Sequence, residues 1–218
     1  MSTMLELYTY FRSSASYRVR IALNLKSIPC QQRFVHLSRD GGQQHAPAFI
    51  AMTPEQLVPV LRDGELALTQ SLAILEYLEE QYPTPPLLPS KASDRARVRS
   101  LALQIACDIH PLNNLRVLQY LERSVGITSS QKQSWVEHWI ATGFTALEAR
   151  LSADRRTGLC CFGDTPTMAD CCLVPQMFNA RRFGVVLDAY PTLARIDEHL
   201  RHLSAFQDSA PGRQPDAE

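Results

Sequence analysis

The chain lacks net charge: 22 lysines and arginines meet 22 aspartates and glutamates over 218 residues. No global field therefore draws it to nucleic acid or to an anionic membrane surface. No apolar run approaches the roughly 20 residues that span a bilayer. Residues 5–10 are too short and too polar to be the core of a signal peptide. The expectation is a cytoplasmic protein with neither a nucleic-acid nor a membrane partner. Lysine is scarce, confined to Lys26, Lys91 and Lys132, so arginine carries nearly all the positive charge. Arginine's planar fork suits bidentate carboxylate binding, although a GC-rich genome gives the same bias. The six cysteines (Cys30, Cys107, Cys160, Cys161, Cys171, Cys172) include two adjacent pairs and no C-x-x-C. Neither a zinc spacing nor a disulfide framework fits them, and no metal site is expected. They read as buried thiols of a reducing compartment. Internal repeats and low-complexity segments are also absent.

What is present is ordinary globular material, 45% hydrophobic and 20% charged, enough for one large domain or two small ones. The first third alternates strand and helix. Residues 5–10 read as a strand, and Ala15, Val19, Ala22 and Leu23 recur at helical spacing after it. Candidate strands follow at 32–37 and 57–61, and Asp63-Gly64 makes a hairpin turn into 66–68. Gln70-Ser71 opens a helix with Leu72, Leu75 and Leu78 on one face, running to about Gln81. Tyr82-Pro83-Thr84-Pro85-Pro86 and Pro89 then break the chain. The expected domains are therefore residues 1–84, a small four-stranded sheet with helices, and residues 90–218, all helical. Helices are expected from 94 to about 123 with a bend before Pro111, over 131–151 with Trp135, Trp139, Phe144 and Leu147 as core, from the Thr167–Asp170 capping box to about 183, and over 192–203.

Three places carry candidate chemistry. Ser13 and Ser14 sit where the first strand ends and the first helix begins, so hydroxyls stand beside unpaired N–H groups at the positive end of a helix dipole. That arrangement stabilises a phosphate, a carboxylate or a thiolate; taken alone, a simple helix cap is the weightier reading. Val58-Pro59 at a strand start would, if cis, turn a backbone edge outward to pair with a peptide; base rates favour an ordinary trans proline. Gln70-Ser71 at a helix start offers donors to a carboxylate, and a plain cap weighs the same there. Around one small sheet, the three together suit an extended, anionic, thiol-bearing peptide, and glutathione is one.

Several stretches resemble the zeta-class glutathione transferases, the maleylacetoacetate isomerases: Tyr10-Phe11-Arg12-Ser13-Ser14-Ala15-Ser16-Tyr17-Arg18-Val19-Arg20, Gln56-Leu57-Val58-Pro59, Gln70-Ser71, Asp108-Ile109-His110-Pro111-Leu112-Asn113-Asn114, Phe162-Gly163-Asp164, Ala169-Asp170 and Arg213-Gln214-Pro215-Asp216. The matches run in order along nearly the whole chain. The resemblance implies a thioredoxin-like N-terminal domain, an all-helical C-terminal domain, glutathione as cofactor and a homodimer. It puts Ser13 on the thiol-activating serine, with Ser14 beside it and Ala15 where many members have cysteine. It puts Gln44, Val58, Gln70, Ser71, His110 and Asn114 on glutathione-contact positions.

The implied reaction is addition of glutathione thiolate to a cis double bond, rotation, and expulsion to give the trans isomer through an enolate, which needs donors or positive charge near its oxygen. The implied substrate is a maleyl dicarboxylate. Arg12 and Arg182 are the candidates for its carboxylates, with Arg116 as a third, Arg181 evenly balanced between function and surface, and His36, His138, His199 and His202 without a role. Maleylacetoacetate of tyrosine and phenylalanine breakdown is the first substrate reading. Maleylpyruvate of gentisate or salicylate breakdown is the alternative, beside a general transferase or peroxidase and a non-catalytic binding protein.

Overall fold

The computed structural model describes residues 4–218, and the chain divides into two compact units. Of the described residues, the first holds 4–87 and 203–218; the second holds 88–202. The boundary expected at 84–90 falls between Leu87 and Leu88, but residues 203–218 group with the first unit rather than with the helices before them.

The first unit runs β1 (Leu5–Thr9), α1 (Ser14–Leu25), β2 (Cys30–Phe34), α2 (Pro47–Met52), β3 (Val60–Asp63), β4 (Leu66–Leu68) and α3 (Ser71–Gln81), and later α9 (Ser204–Ser209). The strand order is β2-β1-β3-β4, with β1–β2 parallel and the other two pairs antiparallel. Alternation places Leu5, Leu7 and Thr9 fully inside. Tyr10, Phe11, Val35, Phe49, Val58 and Val60 form a second apolar cluster. β2 lies two or three residues earlier than expected, and β3 begins after Pro59, which has no N–H for a ladder. A buried ion pair, Lys26 Nζ to Glu79 Oε2 at 2.8 Å, fastens the connector: Lys26 also donates to the carbonyls of Tyr82 and Pro85, and Glu79 accepts the Leu87 N–H.

The second unit is helical, with α4 (Ala92–Leu103), α5 (Leu115–Tyr120), α6 (Ser129–Ser152), α7 (Met168–Arg182) and α8 (Pro191–Arg201). The helix expected over 94–123 passes through a wider-wound turn at 104–109 and breaks at 110–114, where Pro111 cannot donate and Asn114 starts α5 afresh. In α6 the buried positions are Val136, Ile140, Phe144, Leu147 and Leu151. Trp135 and Trp139 are half-buried, against expectation; the Trp135 indole N–H donates to the Leu112 carbonyl at 2.8 Å. The expected capping box opens α7: the Asp170 carboxylate accepts from the Thr167 N–H and hydroxyl, each at 2.7 Å, and from the Cys161 N–H at 2.8 Å. The expected last helix ends at Arg201, and α9 was not foreseen. Among the described residues no helix is long and apolar enough to cross a membrane.

Candidate active site

Ser13 is the N-cap of α1, with φ −68° and ψ 114°. Its N–H donates to the Tyr10 carbonyl (3.0 Å), its carbonyl accepts the Tyr17 N–H (2.9 Å), and its Oγ accepts the Ser16 N–H (3.2 Å). The cap uses a lone pair of Oγ and leaves the hydroxyl proton to give. Helix geometry leaves the Ser14 and Ala15 N–H groups without an intrahelical acceptor. One hydroxyl and two amides thus share the positive end of the helix dipole, a set that stabilises an anion and lowers the pKa of a thiol placed there. The capping and anion readings coexist on the same side chain.

Arg12 is exposed beside this turn. Its Nε and Nη2 donate to the Tyr10 hydroxyl at 3.3 and 3.0 Å, and its guanidinium lies 5.1 Å from the Phe11 ring centre. No carboxylate partners it among the described residues. A cation steadied only by neutral groups keeps its charge for an incoming anion.

Gln44 is buried in the single helical turn over 43–45. Its Nε2 donates to the Leu37 carbonyl at 3.3 Å, while its Oε1 is buried without a partner. A Cβ on Gly42 (φ 102°) would fall 2.5 Å from Gln44 Nε2, so the amide lies over space that only glycine leaves. A buried, unmet acceptor is costly unless a ligand supplies the donor, and an amide or ammonium of a peptide fits it. Beside Gln44, His45 Nδ1 and Gln56 Oε1 lie 2.6 Å apart.

Val58-Pro59 is cis, not the trans form that base rates favour, and Val58 is buried in the same cluster as Tyr10 and Phe11. Gln70 is not a simple cap: its side chain makes no capping bond and its φ is 65°, a region costly for a residue with a Cβ. Ser71 Oγ accepts from Arg18 Nη1 at 3.1 Å. Arg18, 2% exposed, therefore ties α1 to the start of α3. Nothing in the motif reading marks it out. Its signal was a charged residue between Tyr17 and Val19 in a helix whose other positions are mostly apolar.

In the helical unit, His110 is half-buried at the start of the 110–113 turn. Asn114 is the N-cap of α5, its Oδ1 accepting the Arg116 N–H at 3.2 Å, and Arg116 is exposed. Arg182 closes α7 with its guanidinium 4.9 Å from the Phe183 ring centre. Arg181 instead pairs with the fully buried Asp197, which gives it a structural occupation. Among the six thiols Cys107 is exposed and Cys30 half-buried, a correction to the uniform burial expected. Burial pushes Cys30 up to about 12 and also raises Cys160 and Cys161, so these three are poor nucleophiles.

Residues 7–86 match the family model described as glutathione S-transferase, N-terminal domain. A probable maleylacetoacetate isomerase of Vibrio cholerae is 52% identical over 97% of each chain. A solved holo maleylpyruvate isomerase, described as a bacterial zeta-class glutathione S-transferase, superposes with a TM-score of 0.95 at 49% identity, covering 98% of this chain and 100% of its own. A maleylacetoacetate isomerase of Methylobacterium extorquens AM1, solved with malonate and glutathione bound, gives 0.93 at 44% identity over 98% and 99%.

Proposed function

The chain belongs to the zeta class of the glutathione transferases, and from that premise we propose that it is a glutathione-dependent cis–trans isomerase of a maleyl dicarboxylate. The observation that carries the reading is the start of α1, where Ser13 caps the helix and still has a proton to donate beside two unpaired amides. Gln44 Oε1, buried and unmet, fits the same cofactor, as do the amides at the start of α3.

When bound, glutathione supplies the thiolate that adds to the cis double bond and leaves again, freeing it to rotate between. The residues of this chain set the conditions. Ser13 donates its hydroxyl proton as a hydrogen bond to sulfur and, with the Ser14 and Ala15 amides, keeps it ionised near neutral pH. Ala15 brings no thiol of its own to the turn. Gln44, Val58, Gln70 and Ser71 hold the peptide, and His110 and Asn114 are proposed as further contacts. Arg12 and Arg182 take the substrate's carboxylates, with Arg116 a third candidate; a cation near the substrate carbonyl also steadies the negative charge that builds on its oxygen.

The Methylobacterium relative, solved with both malonate and glutathione bound, supports a dicarboxylate substrate. Maleylacetoacetate, from tyrosine and phenylalanine breakdown, is the first choice, favoured by the Vibrio relative. The 49% identity to a maleylpyruvate isomerase supports the second, a step of gentisate or salicylate breakdown. A homodimer working in the cytoplasm completes the proposal on family grounds. Steady-state assays of both cis dicarboxylates, each with and without glutathione, test it: turnover should require the thiol, and the better substrate names the pathway. Equal rates without glutathione would overturn the mechanism.

A further inference from the structure

Residues 203–218 leave the helical unit's sequence and rejoin the sheet-containing unit, and their bonds fall on the turn that precedes Ser13. The Phe11 N–H donates to Asp216 Oδ2 at 2.9 Å across 205 residues of sequence. From the other side, the buried Arg20 guanidinium donates to the Phe11 carbonyl (3.0 Å), the Tyr10 carbonyl (3.3 Å), the Thr9 hydroxyl (3.0 Å) and the Ser209 carbonyl of α9 (3.1 Å). Burial lowers Arg20 to about 10, and the Asp216 charge opposes that loss. The segment is itself anchored. Gln214 donates to the carbonyls of Asp208 and Ala210, Gln32 donates to Gln214 Oε1, and the Tyr17 hydroxyl donates to the Phe206 carbonyl.

The Tyr10–Phe11 peptide is therefore held by its N–H on Asp216 and by its own carbonyl on Arg20, which also takes the next carbonyl, and the Tyr10 carbonyl is the acceptor of the Ser13 N–H. We propose that Asp216 is a positioning residue for the isomerase reaction: it clamps the 9–11 backbone so that the Ser13 hydroxyl and the Ser14 and Ala15 amides meet the thiolate. The inference rests on the reading of Ser13 given above. It takes Asp216 as acting through geometry and not through contact with substrate. Losing the clamp lets the peptide rotate, and small displacements of a reacting group are expensive in rate.

The test compares Asp216→Ala, Asp216→Asn, Ser13→Ala and the Asp216→Ala/Ser13→Ala double variant in the full chain. The readouts are ultraviolet titration of bound glutathione thiolate, turnover and KM for the cis dicarboxylate, and melting temperature. Asp216→Ala should raise the bound thiol pKa and lower turnover about tenfold, with KM for the dicarboxylate unchanged. Asp216→Asn keeps an acceptor for the Phe11 N–H and should stay within about twofold of the parent. The double variant should be no slower than Ser13→Ala, because both changes spoil one unit. If Asp216→Ala lowers only the melting temperature, or if the two effects multiply in the double variant, Asp216 is merely structural and the inference falls while the Ser13 reading stands. If Ser13→Ala leaves the thiol pKa at the parent value, the Ser13 reading falls and takes this inference with it. Should Asp216→Ala not fold, Asp216→Glu replaces it: a shifted acceptor should again raise the thiol pKa and lower turnover, and parent values for both would overturn the inference.

Discussion

Two helix starts in this chain use the same local chemistry to opposite ends. At α7 the Asp170 carboxylate, fully buried, takes the Thr167 amide, the Thr167 hydroxyl and the Cys161 amide. At α1 the cap is a half-buried serine that satisfies one amide and leaves two others, with its own proton, unspent. The first start is closed and holds the fold. The second is open and leaves its donors for an anion. What separates them is the acidic residue: α7 has Asp170 in its first turn, and α1 has no acidic residue in its first turn. A carboxylate at that place would satisfy the amides and repel a thiolate.

Changing each start in turn sharpens the contrast. Ser13→Ala should lower turnover roughly ten- to a hundredfold, the worth of one charge-assisted hydrogen bond, with the lower end favoured because the Ser14 and Ala15 amides cover part of the loss. Asp170→Ala should do the reverse. It strips three donors of a buried acceptor and should cost roughly 1.5–3 kcal/mol of stability, read by denaturant midpoint, while turnover of the folded fraction holds. A fall in turnover with unchanged stability would break the comparison. Arg182→Ala should touch neither start: KM for the dicarboxylate should rise roughly tenfold, with the bound thiol pKa unmoved.

The smallest effect concerns Asp154, whose carboxyl Arg156 holds down at about 2 through side-chain and backbone hydrogen bonds, with help from Arg97. A depressed folded pKa contributes stability above the unfolded value, here 3.8, and loses it as pH falls toward about 2. Asp154→Asn should lower stability slightly at neutral pH, where that contribution is fully present, flatten the acid limb of a stability–pH curve over that window, and meet the parent curve below about pH 2. An unaltered acid limb would show that the pair contributes nothing measurable.

The α1 and α7 starts were both readable from sequence, because caps are local: Ser13 before an apolar-periodic run, and Thr167 three residues ahead of Asp170. Their difference was not, since it depends on what each carboxylate or hydroxyl meets. Residues 203–218 were misplaced for a related reason. α9 is six residues long with little apolar periodicity, and its place is set by bonds such as Tyr17 to Phe206 and Arg20 to Ser209 that no window detects. Arg18 and Arg20 escaped because charged side chains read as surface, yet both are buried with their guanidiniums in hydrogen bonds. In α6 Phe144 and Leu147 are buried as expected, while Trp135 and Trp139 stay half-buried and the smaller Val136, Ile140 and Leu151 complete the stripe. Gln44 Oε1 became meaningful only once its burial and lack of a partner were visible.

If the open start of α1 ionises the cofactor's thiol, thiolate absorbance of bound glutathione will show it in a pH titration. The parent protein should show a pKa well below the ordinary thiol value of about 8.5, Ser13→Ala should move it back toward that value, and Asp170→Ala should leave it where the parent has it. A bound thiol that titrates like the free one in the parent protein would contradict the account.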